Sequence, residues 1–378
     1  MKIALFHANA GYGHKKVALV TEQALLRLGG SGVSVEHHDI LEKTSALTRQ
    51  LYPAAYFFSV KNLPDAWGWT YETLDSPLVY KALKPLRSLF NRIEGRLWLP
   101  WLAETKPDVL ICTHFYSAEF FSRLKREGKI KAKVIVVITD FAPHTFWVNP
   151  GTDVYWVMTG EAKAELIRRG VKAEQIVAGG IPVDPIFKPQ NRRDEVRKAY
   201  DLYPSRLTVL LTSGSFGLGS QLEILRAMQA YKDRIQAIVV CGQNEKQKRQ
   251  LENTPFLFPV KIFGFVNFMP DLMEASDLLI AKAGGSTTVE SLAKGVPLVL
   301  TGSIPGQETR NADYLLARYA AFAMKEPQQI EIILKNIFET PGLLEQKKKI
   351  IQTIAKPDSA DNLARFVLES CESCEKKS

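Results

Sequence analysis

Four short stretches of this 378-residue chain set glycines, hydroxyls and titratable groups where chemistry is done. The first is Asn9-Ala10-Gly11-Tyr12-Gly13-His14, after an apolar run at residues 3–6 and before an amphipathic run at 18–28. Glycine lets a backbone turn sharply and approach a ligand at the carboxyl edge of a parallel sheet. His14 then stands at the mouth of a site as a general base titrating near neutrality, or is simply a polar residue at a helix start. Lys15, Lys16 and Val17 occupy the place where a dinucleotide fingerprint has its last glycine, which excludes that motif. The second stretch is Thr139-Asp140 at the end of an apolar run, with Phe141, His144 and Trp147 behind it. Asp140 is either a second base candidate on the same sheet edge or the cap of a turn. The third is the most informative: Lys282, Gly284, Gly285, Ser286 and Thr287 follow an apolar run and lead into a helix that contains Glu290. Free N–H groups and the dipole at such a helix start suit a diphosphate. Lysine precedes the glycines and no Gly-Lys-Ser/Thr ends the loop, so it is not a Walker loop. Lys282 either supplies positive charge or lies at the surface beside the loop. Glu290, one to two turns in, suits the two hydroxyls of a ribose. The fourth, Pro305-Gly306-Gln307-Glu308, offers an amide and a carboxylate to the vicinal hydroxyls of a hexose.

These groups need rigid supports, and the pattern of apolar runs supplies them. Residues 3–6, 109–112, 134–139 and 154–158 are short, apolar and β-branched, as are 207–211, 237–241, 260–263, 278–281 and 297–300. Strands apolar throughout and separated by helices predict parallel sheets covered on both faces. Two such series predict an α/β chain of two doubly wound, Rossmann-like domains. We place one domain at 1–180 and a second at 181–356, followed by a helical tail at 357–378. The Gly/Pro crowding of residues 179–185 marks the linker.

Residues 49–103 break the α/β rhythm with aromatics and basic residues in helical spacing, Lys81, Lys84, Arg87 and Arg92 among them. All six tryptophans fall between residues 67 and 156. Helices of this composition lie in a membrane interface, or else form a packed helical insert. A net charge of +9 calls for an anionic partner; no nucleic-acid motif accompanies the basic residues, so we expect no nucleic acid. No apolar stretch reaches the ~20 residues that span a bilayer, and no signal pattern opens the chain. The expectation is a cytoplasmic protein associated peripherally with the cell membrane. Cys371 and Cys374 have redox spacing but no second pair, and we expect no thiol site there.

In order and spacing these blocks resemble the family 28 glycosyltransferases, and within them the diacylglycerol glycosyltransferases. The blocks are Gly11-Tyr-Gly-His14, Thr139-Asp-Phe141 with His144 and Trp147, Gly180-Ile-Pro182, Lys282-Ala-Gly-Gly285 and Pro305-Gly-Gln-Glu308. The resemblance covers residues 1 to about 340. It implies the GT-B architecture, two Rossmann-like domains with a cleft between them: an acceptor- and membrane-binding first domain, a UDP-sugar-binding second domain, and a tail that returns to the first. It places Phe265 and Val266 at the uracil, Gly214, Ser215 and Phe216 near the phosphates, Glu290 at the ribose, and Gln307 and Glu308 at the donor sugar. His14 becomes the base or an acceptor-positioning residue, with Asp140 the other base candidate. Gly11, Gly13, His144 and Trp147 fall beside the acceptor, and Lys81, Lys84, Arg87 and Arg92 toward anionic lipid. Two departures stand out: the plant members carry a longer glycine run before the histidine, and the N-acetylglucosaminyl-transferring members have two glutamines where Gln307 and Glu308 stand.

The resemblance implies inverting transfer of glucose or galactose from UDP-glucose or UDP-galactose to diacylglycerol or a glycosyl-diacylglycerol. No Asp-x-Asp triplet occurs, so we expect neither a metal nor another cofactor. The rivals are an enzyme of the same scaffold that uses UDP-N-acetylglucosamine, either a lipid-linked transferase or a 2-epimerase, and a non-catalytic nucleotide-sugar sensor.

Overall fold

The computed structural model describes residues 1–9, 11–212, 221–302 and 305–375. The chain forms two compact units: residues 1–184, 304–310 and 358–378, and residues 185–303 and 311–357. In the first unit six strands, β1 (Lys2–His7), β2 (Ser34–Asp39), β3 (Val109–Cys112), β4 (Lys133–Val137), β5 (Val154–Trp156) and β6 (Ile176–Val177), make one sheet of order β2-β1-β3-β4-β5-β6. Every pairing in it is parallel. Its helices are α1 (Tyr12–Gly29), α2 (Ala46–Asn62), α3 (Pro64–Asp75), α4 (Pro77–Gly95), α5 (Leu99–Thr105), α6 (Phe115–Arg126) and α7 (Gly160–Arg168).

The second unit repeats the plan with β7 (Leu207–Thr212), β8 (Ile235–Val240), β9 (Val260–Phe263), β10 (Leu278–Ala281), β11 (Leu298–Leu300) and β12 (Ala321–Ala323), in the order β12-β11-β10-β7-β8-β9. Helices α8 (Arg193–Ala199), α9 (Gln221–Met228), α10 (Glu245–Glu252), α11 (Met269–Ala275), α12 (Gly285–Lys294), α13 (Gln307–Leu316), α14 (Gln329–Glu339) and α15 (Leu343–Ile354) follow in turn. The last helix, α16 (Ser359–Glu375), belongs to the first unit, where Ser359 Oγ donates to the Ile181 carbonyl and Asp361 pairs with Arg27.

The apolar runs are the buried strands: β3 and β10 have no exposed residue, and Val134, Val136, Val209 and Val239 sit at the centres of the two cores. Strand β2 escapes the apolar pattern because it is an edge strand: its residues Ser-Val-Glu-His-His-Asp are exposed or half-buried, with His38 packed on Phe6, Trp98 and Trp101. Strands β6 and β12 are two and three residues long, too short to leave a periodic signal. Residues 304–310, assigned from the sequence to the second domain, group with the first unit. The cause is polar: Arg310 pairs with Glu72 and Asp75, and Gln307 donates to Asp140. Cys112 and Cys241 are buried free thiols, pushed up to about 12 and about 11 by burial.

Candidate active site

At the carboxyl edge of the first sheet, β1 feeds a tight turn into α1. Gly11 takes φ 143°, a conformation that side chains rarely adopt, and so permits the immediate helix start. Gly13 and His14 are then the second and third residues of α1. His14 Nδ1 lies 2.6 Å from the carbonyl oxygen of Thr113, just beyond β3, and 3.1 Å from Thr139 Oγ1, beyond β4. A carbonyl only accepts, so Nδ1 carries the proton and Nε2 keeps its lone pair. Burial lowers the imidazole to about 4, partly offset by the Thr113 carbonyl, and His14 is therefore neutral at pH 7. The His114 ring stands edge-on at 4.9 Å and buried Trp147 lies 6.3 Å away, so the ring is fixed in place.

Asp140 is buried one residue beyond Thr139, and its Oδ1 accepts a 2.7 Å hydrogen bond from Gln307 Nε2. Residues 305–310 are held by ion pairs to α3. Arg310 grips Asp75 at 2.7 Å and both oxygens of Glu72, while Arg169 takes the other side of Asp75 at 2.7 Å. Burial alone would raise the Asp75 carboxyl. The hydrogen bond from Arg169 leads the opposing contributions, followed by His144 and Thr145, and holds it well below the usual carboxylate range. Gly306 is required here: its φ is 92°, and a Cβ would come within 2.5 Å of the Tyr71 ring. Tyr56 and Tyr71 complete the cluster. Both hydroxyls are pushed up, first by burial and then by the neighbouring carboxylates, Glu308 and Asp140 for Tyr56 and Asp140 for Tyr71.

His144, expected beside an acceptor, makes its hydrogen bonds within the first unit. It is 1% exposed, its Nδ1 accepts from the Phe146 N–H and its Nε2 donates to the Tyr71 carbonyl. Both nitrogens are committed, and burial lowers the ring to about 4. Trp147 is buried behind His14 in the same way.

In the second unit the described part of the carboxyl edge beyond β10 presents backbone groups. Strand β10 passes through Lys282 to Gly284, which caps α12 without a side-chain hydrogen bond, and the first turn of α12 holds no acidic residue. Lys282 and residues 284–287 are half-buried, whereas the next seven residues, Glu290 among them, are buried. The N–H groups of Gly285, Ser286 and Thr287 are thus an uncapped, positive helix start with no competing carboxylate. Phe265 and Val266 lie just past β9, Phe265 with 59% of its surface exposed. Gly214, Ser215 and Phe216 lie outside the described residues.

Residues 14–183 match the family model of monogalactosyldiacylglycerol (MGDG) synthase, and residues 208–363 match the glycosyltransferase family 28 C-terminal domain. A processive diacylglycerol beta-glucosyltransferase of Bacillus thuringiensis (strain Al Hakam) is 31% identical over 376 residues, 97% of this chain and 93% of that protein. The chain belongs to glycosyltransferase family 28. A second relative of the same name, from Bacillus cereus (strain AH820), is 30% identical over the same shares of both chains. Among solved structures, MurG of Acinetobacter baumannii aligns with a TM-score of 0.63 at 15% identity, covering 97% of this chain and 99% of that one. The UDP complex of MnaA from S. aureus aligns at 0.63 and 12% identity, covering 98% and 97%. These two likenesses show the fold alone, the two-domain α/β fold of GT-B type.

In this family 28 chain the helical insert carries its amphipathicity inside out. On α4 the inward face holds Tyr80, Lys84, Arg87, Asn91 and Glu94, all buried or half-buried. Arg87 pairs with Glu119 at 2.9 Å, donates to Tyr80 Oη and stacks on Phe146, and Asn91 donates to the same Glu119 oxygen. Lys84 lies over the Tyr80 ring. The outward face holds Leu78 at 82% exposure, Leu86 at 70%, and Leu83, Leu89, Phe90 and Ile93. Lys81 and Arg92, eleven positions apart and so near the same angle, lie along one border of that apolar stripe. Of the four residues expected toward anionic lipid, Lys81 and Arg92 are exposed, whereas Lys84 and Arg87 turn inward. Among the described residues no helix is long and apolar enough to cross a membrane.

The first-unit site also contains groups the motifs did not single out: Thr113, His114, Tyr56, Asp75 and Arg310. Thr113 and His114 were within reach, because they follow the apolar run at 109–112 on the same sheet edge as His14. The Asp75–Arg310 pair joins positions 235 apart in sequence and leaves no local signal.

Proposed function

We propose that this chain moves a hexose from UDP-glucose or UDP-galactose to the free hydroxyl of diacylglycerol or a glycosyl-diacylglycerol, giving a β-glycoside at a membrane surface. The observation that carries the reading is His14, neutral and fixed by Thr113 with its Nε2 lone pair uncommitted among the described residues. His14 takes the acceptor proton while that oxygen attacks the anomeric carbon from the face opposite UDP. The bond to UDP breaks with its electron pair on the diphosphate, where the start of α12 stabilises the charge. Positioned dipoles of this kind contribute several kcal/mol. Asp140 and Gln307 bind as a pair, and with Glu308 they face the donor hexose. Diacylglycerol as acceptor is supported by the names of the Bacillus relatives and by the outward apolar stripe of α4, bordered by Lys81 and Arg92. A helix of that pattern rests in a lipid interface.

The deciding experiment supplies UDP-glucose, UDP-galactose and UDP-N-acetylglucosamine in turn, with and without diacylglycerol micelles, and follows UDP release and lipid product. We expect acceptor-dependent release and a β-linked glycolipid from one of the two hexose donors. Epimerised UDP-N-acetylglucosamine without acceptor, or nucleotide binding with no turnover on any donor, would overturn the proposal.

A further inference from the structure

The first sheet has a second edge, and transfer chemistry makes no use of it. Around the amino ends of β1, β3 and β4 lies a cavity of about 1040 Å³. This is roomy for a small-molecule site, which typically spans roughly 300–1,000 Å³. Leu28, Val33, Leu99, Leu102, Ile130 and Leu368 form its apolar walls. Lys106, Lys129, Lys131 and Lys133 stand around it. Lys129 is paired with Glu127 at 2.6 Å, and the lining carboxylate, Asp108, already accepts from the Lys2 N–H at 2.7 Å through Oδ2. That leaves Lys106, Lys131 and Lys133 as the cations facing the cavity. A smaller cavity of about 260 Å³ adjoins it, sharing Leu99 and Lys129 and adding Arg92, Arg96 and Arg123. Arg123 is 8% exposed, and its Nε has no hydrogen-bond partner; Glu127 approaches only to 3.7 Å. Leu89 and Ile93 of the outward stripe of α4 line this smaller cavity, which makes the two cavities continuous with that stripe.

We propose that this amino edge binds a lipid anion, an acyl chain bearing a phosphate or carboxylate, at a site separate from the one beside His14. The apolar walls take the chain and the cation cluster takes the head group. No aromatic ring lines the larger cavity, so a nucleobase would find nothing to stack on. A free phosphate would leave the apolar walls wet. Strand β1, six residues long, separates the cavity from the Gly11–His14 turn by roughly 20 Å at 3.3 Å per residue. The inference stands independently of the glycosyl-transfer reading.

The test uses the full chain with lauroyl-lysophosphatidate and with laurate below their micellar concentrations. Glycerol 3-phosphate and lauroyl-lysophosphatidylcholine serve as the head-only and zwitterionic probes. We expect one-to-one binding of at least one lipid anion, with the tighter one identifying the head group, and roughly tenfold or more weaker binding of the other two probes. Lys106→Glu with Lys131→Glu should weaken it roughly tenfold or more, and Ala103→Trp should block it, while UDP affinity stays unchanged. A photoreactive acyl chain on the unaltered protein gives a readout that does not depend on how the variants fold. Labelling of residues 99–108 or 129–133 supports the site. Labelling confined to other segments, absence of one-to-one binding, equal binding of the zwitterion, or correctly folded variants that bind as the parent would each overturn it.

Discussion

The proposed mechanism sets opposite kinds of chemistry at the ends of the two sheets. At the carboxyl edge of the first, the working groups are side chains, each fixed by another residue: His14 by Thr113, Asp140 by Gln307, and Gln307's segment by the Arg310–Asp75–Arg169 bridge. At the same edge of the second, the working groups are the main-chain N–H groups of an uncapped helix, and glycine and small hydroxyl residues merely leave them accessible. One topology has been used twice, once to aim titratable groups and once to aim a dipole. The lesson concerns tolerance: the first edge should fail when a side chain is removed, the second only when a wrong charge is added.

The largest effect should come from His14→Ala. Loss of a positioned base costs about 10²–10⁴ in kcat, with UDP affinity by calorimetry unchanged. A decrease of less than about tenfold would move the base to Asp140. The same residue sets the acid limb of the rate profile. Its imidazole is lowered from the ordinary 6.5 to about 4, so the proton-accepting form persists until the pH nears 4. The unfolded chain takes up that proton nearer 6.5, so stability is complete above 6.5 and is lost as pH falls from there through about 4. Thermal transitions recorded across pH 4–8 will show the loss, with buried His144 contributing in the same direction.

A smaller effect is expected at the second edge. Ser286→Asp should weaken UDP binding roughly 10–100-fold by setting a carboxylate where the diphosphate belongs, yet hold or raise the thermal transition by satisfying the helix dipole. Ser286→Ala should change little. Chelator should leave turnover nearly intact if backbone dipoles hold the diphosphate; loss in EDTA with recovery in magnesium would break the contrast between the edges. The smallest effect concerns the two faces of α4. Replacing Lys81 and Arg92 with serine should weaken binding to anionic vesicles by about 1 kcal/mol per charge, without moving the thermal transition. Arg87→Ser should lower the transition, because it strands Glu119 in a buried site.

How much of this is legible in the sequence varies with the distance over which each feature is determined. The central strands are legible, since β3 or β10, buried on both faces, must be apolar at every position. The glycine turn at residues 11–14 and the start of α12 are legible because each is set by adjacent residues. Strand β2 is not, because an edge strand lined with polar groups looks like a loop. The grouping of residues 304–310 depends on Arg310 meeting Glu72 and Asp75 across more than 230 positions, and no local pattern carries that. Helix α4 lies between these cases. Its two faces are legible, but which one points inward depends on Glu119 and Phe146, contributed by distant segments.

Helix α16 has a consequence for how the protein is made. The first unit holds residues from the start of the chain, yet α16, which pairs with α1 and closes on Ile181 and Val183, is translated after the second unit. Growing chains usually fold domain by domain from the amino terminus as the ribosome releases them. Here the amino-terminal unit must wait, with the Arg27 side of α1 uncovered, until the whole second unit has emerged. The second unit, although synthesised later, is the one free to finish first.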